Sequence, residues 1–158
     1  MPHLTQLGRE SAPRVGLVSC SKAKLDKAAR ARDLYSPSDL FRKVSSYCDA
    51  HCDRWYVLSA KYGLVDPEAV IEPYDLTLAK MPRAEQRRWG QRVALQLRRL
   101  GDVLLEAHAG RNYLWPLESA GLEVSTPLDG LAIGQRKRWY LQRMSAPQDT
   151  IERRVRWT

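Results

Sequence analysis

The sequence predicts one α/β domain built on a mostly parallel central sheet of about four strands flanked by helices. Short apolar runs alternate with helical patterns along the chain, which is the order typical of βαβ units. Polar clusters follow the apolar runs directly. Because parallel strands end at the same edge of a sheet, we expect these clusters to meet there. The length of 158 residues suits one core rather than two.

Four apolar runs are the predicted strands. They cover residues 15–18, 55–58 and 103–105, with a shorter run around Val124. Branched and aromatic side chains in the first two runs suit a buried, pleated strand. Gly63 follows the second run and predicts a turn at positive φ.

Helical patterns lie between and after these runs. For residues 22–32 the sequence is compatible with either a loop or a helix. Ser36 is predicted to cap a helix, with Pro37 in its first turn and Asp39 three residues after the cap. Its predicted buried stripe is Leu40, Phe41, Val44, Tyr47 and Cys48.

Three more helical segments are predicted towards the C-terminus. Residues 83–97 form a helix that Gly101 ends, and residues 112–120 form a short helix or turn that Pro116 makes irregular. The buried stripe of the first is predicted to be Trp89, Val93, Leu97 and Leu100. A last helix is marked by Ile133, Tyr140, Leu141 and Met144.

The domain organisation is a flexible arm over residues 1–13, an α/β catalytic domain over 14–145 and a basic tail over 146–158. The sequence contains no apolar stretch near the roughly 20 residues that cross a membrane, and no signal-peptide pattern. We therefore expect a cytoplasmic protein, with no membrane partner, that acts as a monomer. The three cysteines favour free thiols over a disulfide framework.

A strongly basic composition favours an anionic partner such as nucleic acid. The formal net charge is +8, from 26 Lys and Arg against 18 acidic residues. Few arginines in the helical segments have an acidic residue four positions away. The residues expected to contact the DNA backbone are Arg87, Arg88, Arg92, Lys137 and Arg138. The competing interpretation is that these are solvated helix faces.

The first candidate site follows the first strand and contains Ser19, Cys20, Ser21 and Lys22. Hydroxyl, thiol and amine groups at the end of a strand suit binding of an anion, although the glycines of a Walker loop are absent. A second Ser-x-Lys pair, Ser59 and Lys61, follows the second strand, so a plain turn explains the pattern poorly. Cys20 is a nucleophile or, more commonly for such a residue, a structural thiol.

The second candidate site combines Glu72 and Asp75 with Tyr62 and Tyr74. A carboxylate beside aromatic walls activates water or stabilises a cationic sugar while its bond to a base breaks. The tyrosines would grip the base. Lys61 anchors a phosphate or attacks the sugar carbon as an amine. The competing role for Asp75 is to cap a turn at residues 76–79.

A third cluster, Asp129 with Gln135 and Arg136, lies around the start of the last helix. A helix N-terminus favours phosphate, and a capped helix with a basic surface is the alternative. Cys48, His51 and Cys52 have the spacing of metal ligands, with His3 or His108 as a fourth. No second cysteine pair closes a tetrahedral site, and Cys48 already belongs to a buried stripe, so we predict neither a metal nor a cofactor.

The motifs Ser-Cys-Ser-Lys at residues 19–22 and Leu-Ser-Ala-Lys-Tyr-Gly-Leu at 58–64, with Pro-Tyr-Asp at 73–75, resemble those of small bacterial and phage domains of unknown function. The likeness extends over about residues 15–141. The middle block also resembles a segment of YaaA-type peroxide-stress proteins, and the first block an element of archaeosine-synthase domains. These resemblances imply an α/β domain that acts on nucleic acid or nucleotides, with its site at the matched strand ends.

The function that we predict is a DNA glycosylase, a hydrolase that excises a modified base, with defence against phage as one use. Asp75 would assist the water or the sugar cation, with Glu72 as its substitute, while Lys61 and Lys22 hold phosphates. Two alternatives stay open. One is an N-glycoside hydrolase or base transferase acting on free nucleotides, and the other is a DNA-binding domain without enzymatic activity.

Overall fold

The computed structural model describes residues 12–144, so the predicted tail and nearly all of the predicted arm lie outside the described residues. The strands are β1 (Arg14–Ser19), β2 (Ala29–Arg30), β3 (Arg54–Ser59), β4 (Gly63–Val65), β5 (Val70–Ile71) and β6 (Leu104–His108). The helices are α1 (Ala31–Leu34), α2 (Asp39–His51), α3 (Arg83–Arg98), α4 (Arg111–Ser119) and α5 (Ile133–Met144), with a 3-10 turn at Leu78–Lys80.

The central sheet has the strand order β4-β3-β1-β6. β1 pairs in parallel with β3 on one side and with β6 on the other, and β4 pairs antiparallel with β3. β2 and β5 form a separate antiparallel pair. The predicted fold class, an α/β domain with a mostly parallel sheet of about four strands, is confirmed.

The fourth strand of the sheet is not the predicted one. The segment around Val124 contributes an isolated bridge between Glu106 and Ser125. The fourth strand is β4, which is too short to show a period in the sequence. Gly63 adopts a φ of +76°, as predicted, and this left-handed conformation lets the chain reverse and pair β4 with β3.

Helix α2 begins two residues later than predicted, after Ser38 instead of Ser36. The side chain of Ser38 accepts a hydrogen bond from the backbone N–H of Phe41 at 3.1 Å. The turn that follows α1 explains the shift, because the N–H of Ser36 bonds to the carbonyl of Asp33 and that of Ser38 to the carbonyl of Tyr35. The backbone can therefore begin the helix only after Ser38.

Helices cover both faces of the sheet and form two hydrophobic clusters. β1 serves both, because Val15 and Leu17 belong to one cluster and Val18 belongs to the other. The first cluster packs against the predicted stripe of α3, where Trp89, Val93 and Leu97 are buried. The second lies against α2, whose predicted stripe is buried except for the partly buried Leu40.

Helix α5 buries fewer apolar side chains than its sequence predicts. Tyr140 is fully buried, whereas Ile133, Leu141 and Met144 are exposed. The helix packs on α2 along a narrow edge formed by Tyr140 and Trp139. Among residues 12–144, no helix combines the length and the apolar character needed to cross a bilayer.

The strand order predicts a crevice at the carboxyl edge of the sheet. The chain passes from β1 to β3 on one side and later places β6 on the other side of β1. The direction of winding therefore reverses between β1 and β6. Open α/β sheets bind ligands at the carboxyl ends of the strands where this reversal occurs.

Candidate functional site

A cavity of about 70 Å³ lies at this reversal, between the ends of β1 and β6. It is large enough for a few water molecules or for one small polar group of a ligand. Its polar lining combines three of the predicted residues after β1 with residues from α2, β6 and α5: Ser19, Cys20, Ser21, Ser38, His108, Arg136 and Tyr140. We call it the switch-point cavity.

The switch-point cavity favours negative charge. The N-terminus of α2 opens beside it at Ser38, where free backbone N–H groups carry partial positive charge. Arg136 donates from Nε to the carbonyl of Leu131 at 2.9 Å and has no carboxylate partner within residues 12–144. Its remaining guanidinium nitrogens are therefore available to an anion. In the predicted cluster of Asp129, Gln135 and Arg136, Arg136 is the residue that lines the switch-point cavity.

Lys137 ties α5 to α2 at the rim of this cavity. Its Nζ lies 3.2 Å from Oδ2 of Asp39, in the first turn of α2. Hydrogen bonds from Lys43 and then from Lys137 lower the pKa of Asp39 to about 2. Asp39 is thus ionised at neutral pH and holds the two helices together beside Arg136.

A chain of hydroxyl groups lies at the end of β3. Ser59 is fully buried and donates to the hydroxyl of Tyr74 at 2.8 Å, while its Oγ accepts from the backbone N–H of Tyr62 at 3.0 Å. The hydroxyls of Tyr74 and Tyr35 are 2.7 Å apart. We call Ser59, Tyr74 and Tyr35 the hydroxyl chain. Burial raises the pKa of Tyr74, and burial raises the pKa of Tyr35 to about 12, so both phenols keep their protons at neutral pH.

Two residues that the sequence reasoning did not single out join this site. Tyr35 lies in the turn after α1, and Lys24 places its Nζ 4.5 Å from the ring centroid of Tyr74. Lys24 is the lysine that turns towards the hydroxyl chain, whereas Lys22 is exposed and its side chain makes no hydrogen bond or ion pair within the described residues. Nothing in the basic, alanine-rich segment distinguishes Lys24 from Lys22 beforehand.

Cys20 connects the two parts of the site. It lines the switch-point cavity, its backbone N–H bonds to the carbonyl of Leu58, and its Sγ lies 3.1 Å from the hydroxyl of Tyr113. The ends of β1 and β3 are therefore adjacent, with the switch-point cavity on one side of Cys20 and the largely buried hydroxyl chain near it. Burial raises the pKa of Tyr113, which keeps its phenol protonated beside the thiol.

The two predicted carboxylates, Glu72 and Asp75, are exposed to solvent. Asp75 follows Tyr74, is exposed, and forms no hydrogen bond or ion pair within residues 12–144. The capping alternative for Asp75 does not match the structure, because Thr77 is the N-cap of the 3-10 turn. Glu72 is exposed as well, and its backbone carbonyl accepts a hydrogen bond from the hydroxyl of Tyr62 at 3.5 Å.

A wide groove of about 710 Å³ runs along α3 beside this segment. Lys61, Arg88 and Arg92 line it, together with Leu76, the residue after Asp75. Two of the arginines predicted to contact DNA thus share a groove with a predicted site lysine. Arg87 is exposed on the same helix, outside this groove. We call this surface the basic groove.

Several predicted residues contribute to neither the switch-point cavity nor the basic groove. Asp129 and Arg138 are exposed and line neither of them. Gln135 accepts a hydrogen bond from the backbone N–H of Ala132 at 2.9 Å, as in the alternative of a capped helix. Lys22 also lies apart from both.

A family model matches residues 15–142 of this chain. The chain belongs to that family of unknown function, DUF6884. The matched region extends from β1 into α5 and contains all the site residues described above. No curated protein and no solved structure matches the chain.

Proposed function

We propose that the protein binds DNA and hydrolyses the N-glycosidic bond of a modified base. The observation that carries the proposal is that the switch-point cavity and the hydroxyl chain lie at the adjacent ends of β1 and β3. Arg136 and the N-terminus of α2 suit a phosphate, and the tyrosines suit a base. The resemblances to YaaA-type proteins and archaeosine-synthase domains point to nucleic acid or nucleobases as the substrate.

The basic groove supports DNA rather than a small substrate. Arg87, Arg88 and Arg92 have no carboxylate partner within residues 12–144, so their charges are available to phosphates. The groove reaches Leu76, next to Asp75. A strand lying along α3 would therefore bring its bases to the segment that carries Tyr62, Tyr74 and Asp75.

In this proposal the base leaves the stack and packs against Tyr62 and Tyr74, whose rings lie edge to face with centroids 5.6 Å apart. Asp75 accepts a proton from water as the water oxygen bonds to the sugar C1′ carbon. The bond between C1′ and the base nitrogen breaks, and the base leaves with a proton from solvent. The phenol of Tyr74 is a suitable hydrogen-bond donor to the departing base, because it stays protonated.

The proposal is tested by incubating the protein with unmodified DNA, DNA carrying different modified bases, and free nucleotides. Mass spectrometry then detects a released base. Asp75→Asn should lower the rate of base release by about 100-fold or more, the usual loss of a general base, while DNA affinity stays unchanged. Asp102→Asn alters another exposed carboxylate and should keep full activity. Full activity of Asp75→Asn would remove the proposed role, and binding without base release would favour a DNA-binding module.

Hydrolysis of free nucleotides is the second candidate, because the switch-point cavity is small and combines one arginine with one helix N-terminus. Salt dependence separates the candidates. If DNA occupies the basic groove, Arg88→Ser with Arg92→Ser should reduce the slope of log affinity against log salt by about 2, through the loss of two phosphate contacts. Arg54→Ser, at the opposite end of β3, is the matched control. An unchanged slope in the double variant would place the DNA elsewhere or favour a free nucleotide.

A further inference from the structure

We propose that Cys48, Cys52 and His108 bind a zinc ion beneath the switch-point cavity. One ligand atom from each of these residues lies within 4.8 Å of the other two. Cys48 and Cys52 are four residues apart, at the end of α2, so both thiols face the same side. His108 is the last residue of β6. The three residues are 0%, 9% and 3% exposed, which places the cluster inside the protein.

The imidazole of His108 is held in the orientation that a metal ligand needs. Its Nδ1 lies 2.7 Å from the hydroxyl of Tyr140, and in the tautomer that leaves Nε2 free for a metal this Nδ1–H donates to the tyrosine oxygen. The side chain is fully buried, and Nε2 makes no hydrogen bond within the described residues. Metal-bound histidines have this arrangement, in which the second ring nitrogen is fixed by a hydrogen bond and the first faces the ion.

Glu106 lies beside these three ligands, and the fourth position of a tetrahedral site would be open to water. Its Oε1 lies 3.4 Å from Nε2 of His108 and accepts a hydrogen bond from the hydroxyl of Tyr47 at 3.4 Å. Its Oε2 has no hydrogen bond, although Arg14 lies 3.6 Å away. The ion would offset the two thiolates, and Arg14 would offset the carboxylate.

Gly16 leaves room for the sulfur atoms. It lies in β1, and a Cβ placed there would be 2.8 Å from Sγ of Cys48 and 3.1 Å from Sγ of Cys52. A side chain at residue 16 would therefore displace both thiols. β1 therefore has no side chain at the point where the two proposed cysteine ligands approach it.

Zinc is the ion that this ligand set favours. Two thiolates and an imidazole bind zinc in tetrahedral sites, whereas magnesium and calcium prefer oxygen ligands. From the sequence we predicted no metal, because no second cysteine pair is present and because Cys48 belongs to the buried stripe of α2. The fold supplies His108 as a further ligand, from a strand more than fifty residues away along the chain.

The ion would also fix one wall of the proposed site, because His108 and Tyr140 line the switch-point cavity. This role is one of positioning, since the zinc lies behind the imidazole. The zinc proposal does not depend on the proposed glycosidase activity. Metal content is measured on the protein alone, without substrate.

The test uses the full chain, produced in zinc-containing medium without a histidine tag and dialysed against metal-free buffer. Elemental analysis should find a single zinc ion per chain. Cobalt added after removal of the zinc should give the intense thiolate-to-cobalt charge-transfer absorption of a tetrahedral site. Removal of the zinc by a chelator should lower the melting temperature, and zinc should restore it.

Cys48→Ser and His108→Gln should lose the zinc, while Cys20→Ser, which removes the remaining cysteine, should retain it. The wild-type measurements decide the matter even if the buried variants fail to fold. Substoichiometric zinc in the wild type, with no charge-transfer absorption on cobalt addition, would overturn the proposal. Equal zinc loss in Cys20→Ser and Cys48→Ser would also overturn it.

Discussion

Replacing Gly90 with alanine is expected to lower the free energy of unfolding by about 3 kcal/mol, the upper part of the usual cost of overpacking. A Cβ at this position would lie 2.5 Å from the Cβ of Pro116 and even closer to the Pro116 carbonyl oxygen. The obstacle is backbone of α4, which cannot rotate away as a flexible side chain can. Helix α3 must therefore move off α4 to make room.

Urea denaturation followed by circular dichroism measures this loss. Gly134→Ala is the matched control, because Gly134 is also helical and a Cβ there meets no atom within 4 Å. That control should be neutral or stabilising by up to about 1 kcal/mol, since alanine is the better helix former. Equal unfolding midpoints for the two variants would mean that α3 and α4 do not approach as closely in solution.

The elements that the sequence predicts well are those whose pattern repeats within a few residues. Trp89, Val93 and Leu97 recur at helical spacing, and all three are buried on one side of α3. Residues 15–18 and 55–58 are apolar without interruption, and both form central strands of the sheet. Such patterns report which side is buried, and the core follows from them.

The parts that it predicts poorly depend on partners far along the chain. β4 has only three residues, and its identity as a strand comes from pairing with β3. Ser36 and Ser38 both suit a helix cap, and the choice depends on the turn that follows α1. The exposure of Leu141 depends on how little of α5 reaches α2. Local residue preference contains no information on these contacts.

The candidate site likewise has features that the sequence predicts and features that it does not. Polar residues after β1 and β3 were expected to meet at one edge of the sheet, and the contact between Cys20 and Leu58 joins those two strand ends. Which side chains turn inwards was not predictable, because it depends on the loop path. Lys24 and Tyr35 face Tyr74, while Lys22 and Asp75 remain exposed.

The largest loss of stability is expected for Trp89→Ala, at about 4 kcal/mol. The indole is 1% exposed and packs edge to face on Tyr113, with ring centroids 5.7 Å apart. Its Nε1 donates to the carbonyl of Ser59 at 2.9 Å. Trp89 therefore anchors α3, with its outward-facing arginines, to the strand end that carries the hydroxyl chain.

Trp89→Phe separates the two roles of this residue. It keeps an aromatic ring in the core but removes the indole N–H, so it should cost only about 1–2 kcal/mol, through one lost hydrogen bond and a small loss of volume. Because Ser59 then loses its anchor, amide hydrogen exchange over residues 59–62 should speed up in Trp89→Phe while the rest of α3 stays protected. If exchange in that segment matches the wild type, Trp89 stabilises the core without positioning the hydroxyl chain, and the ordering of Ser59 depends on Tyr74 and on the pairing of β3 with β4.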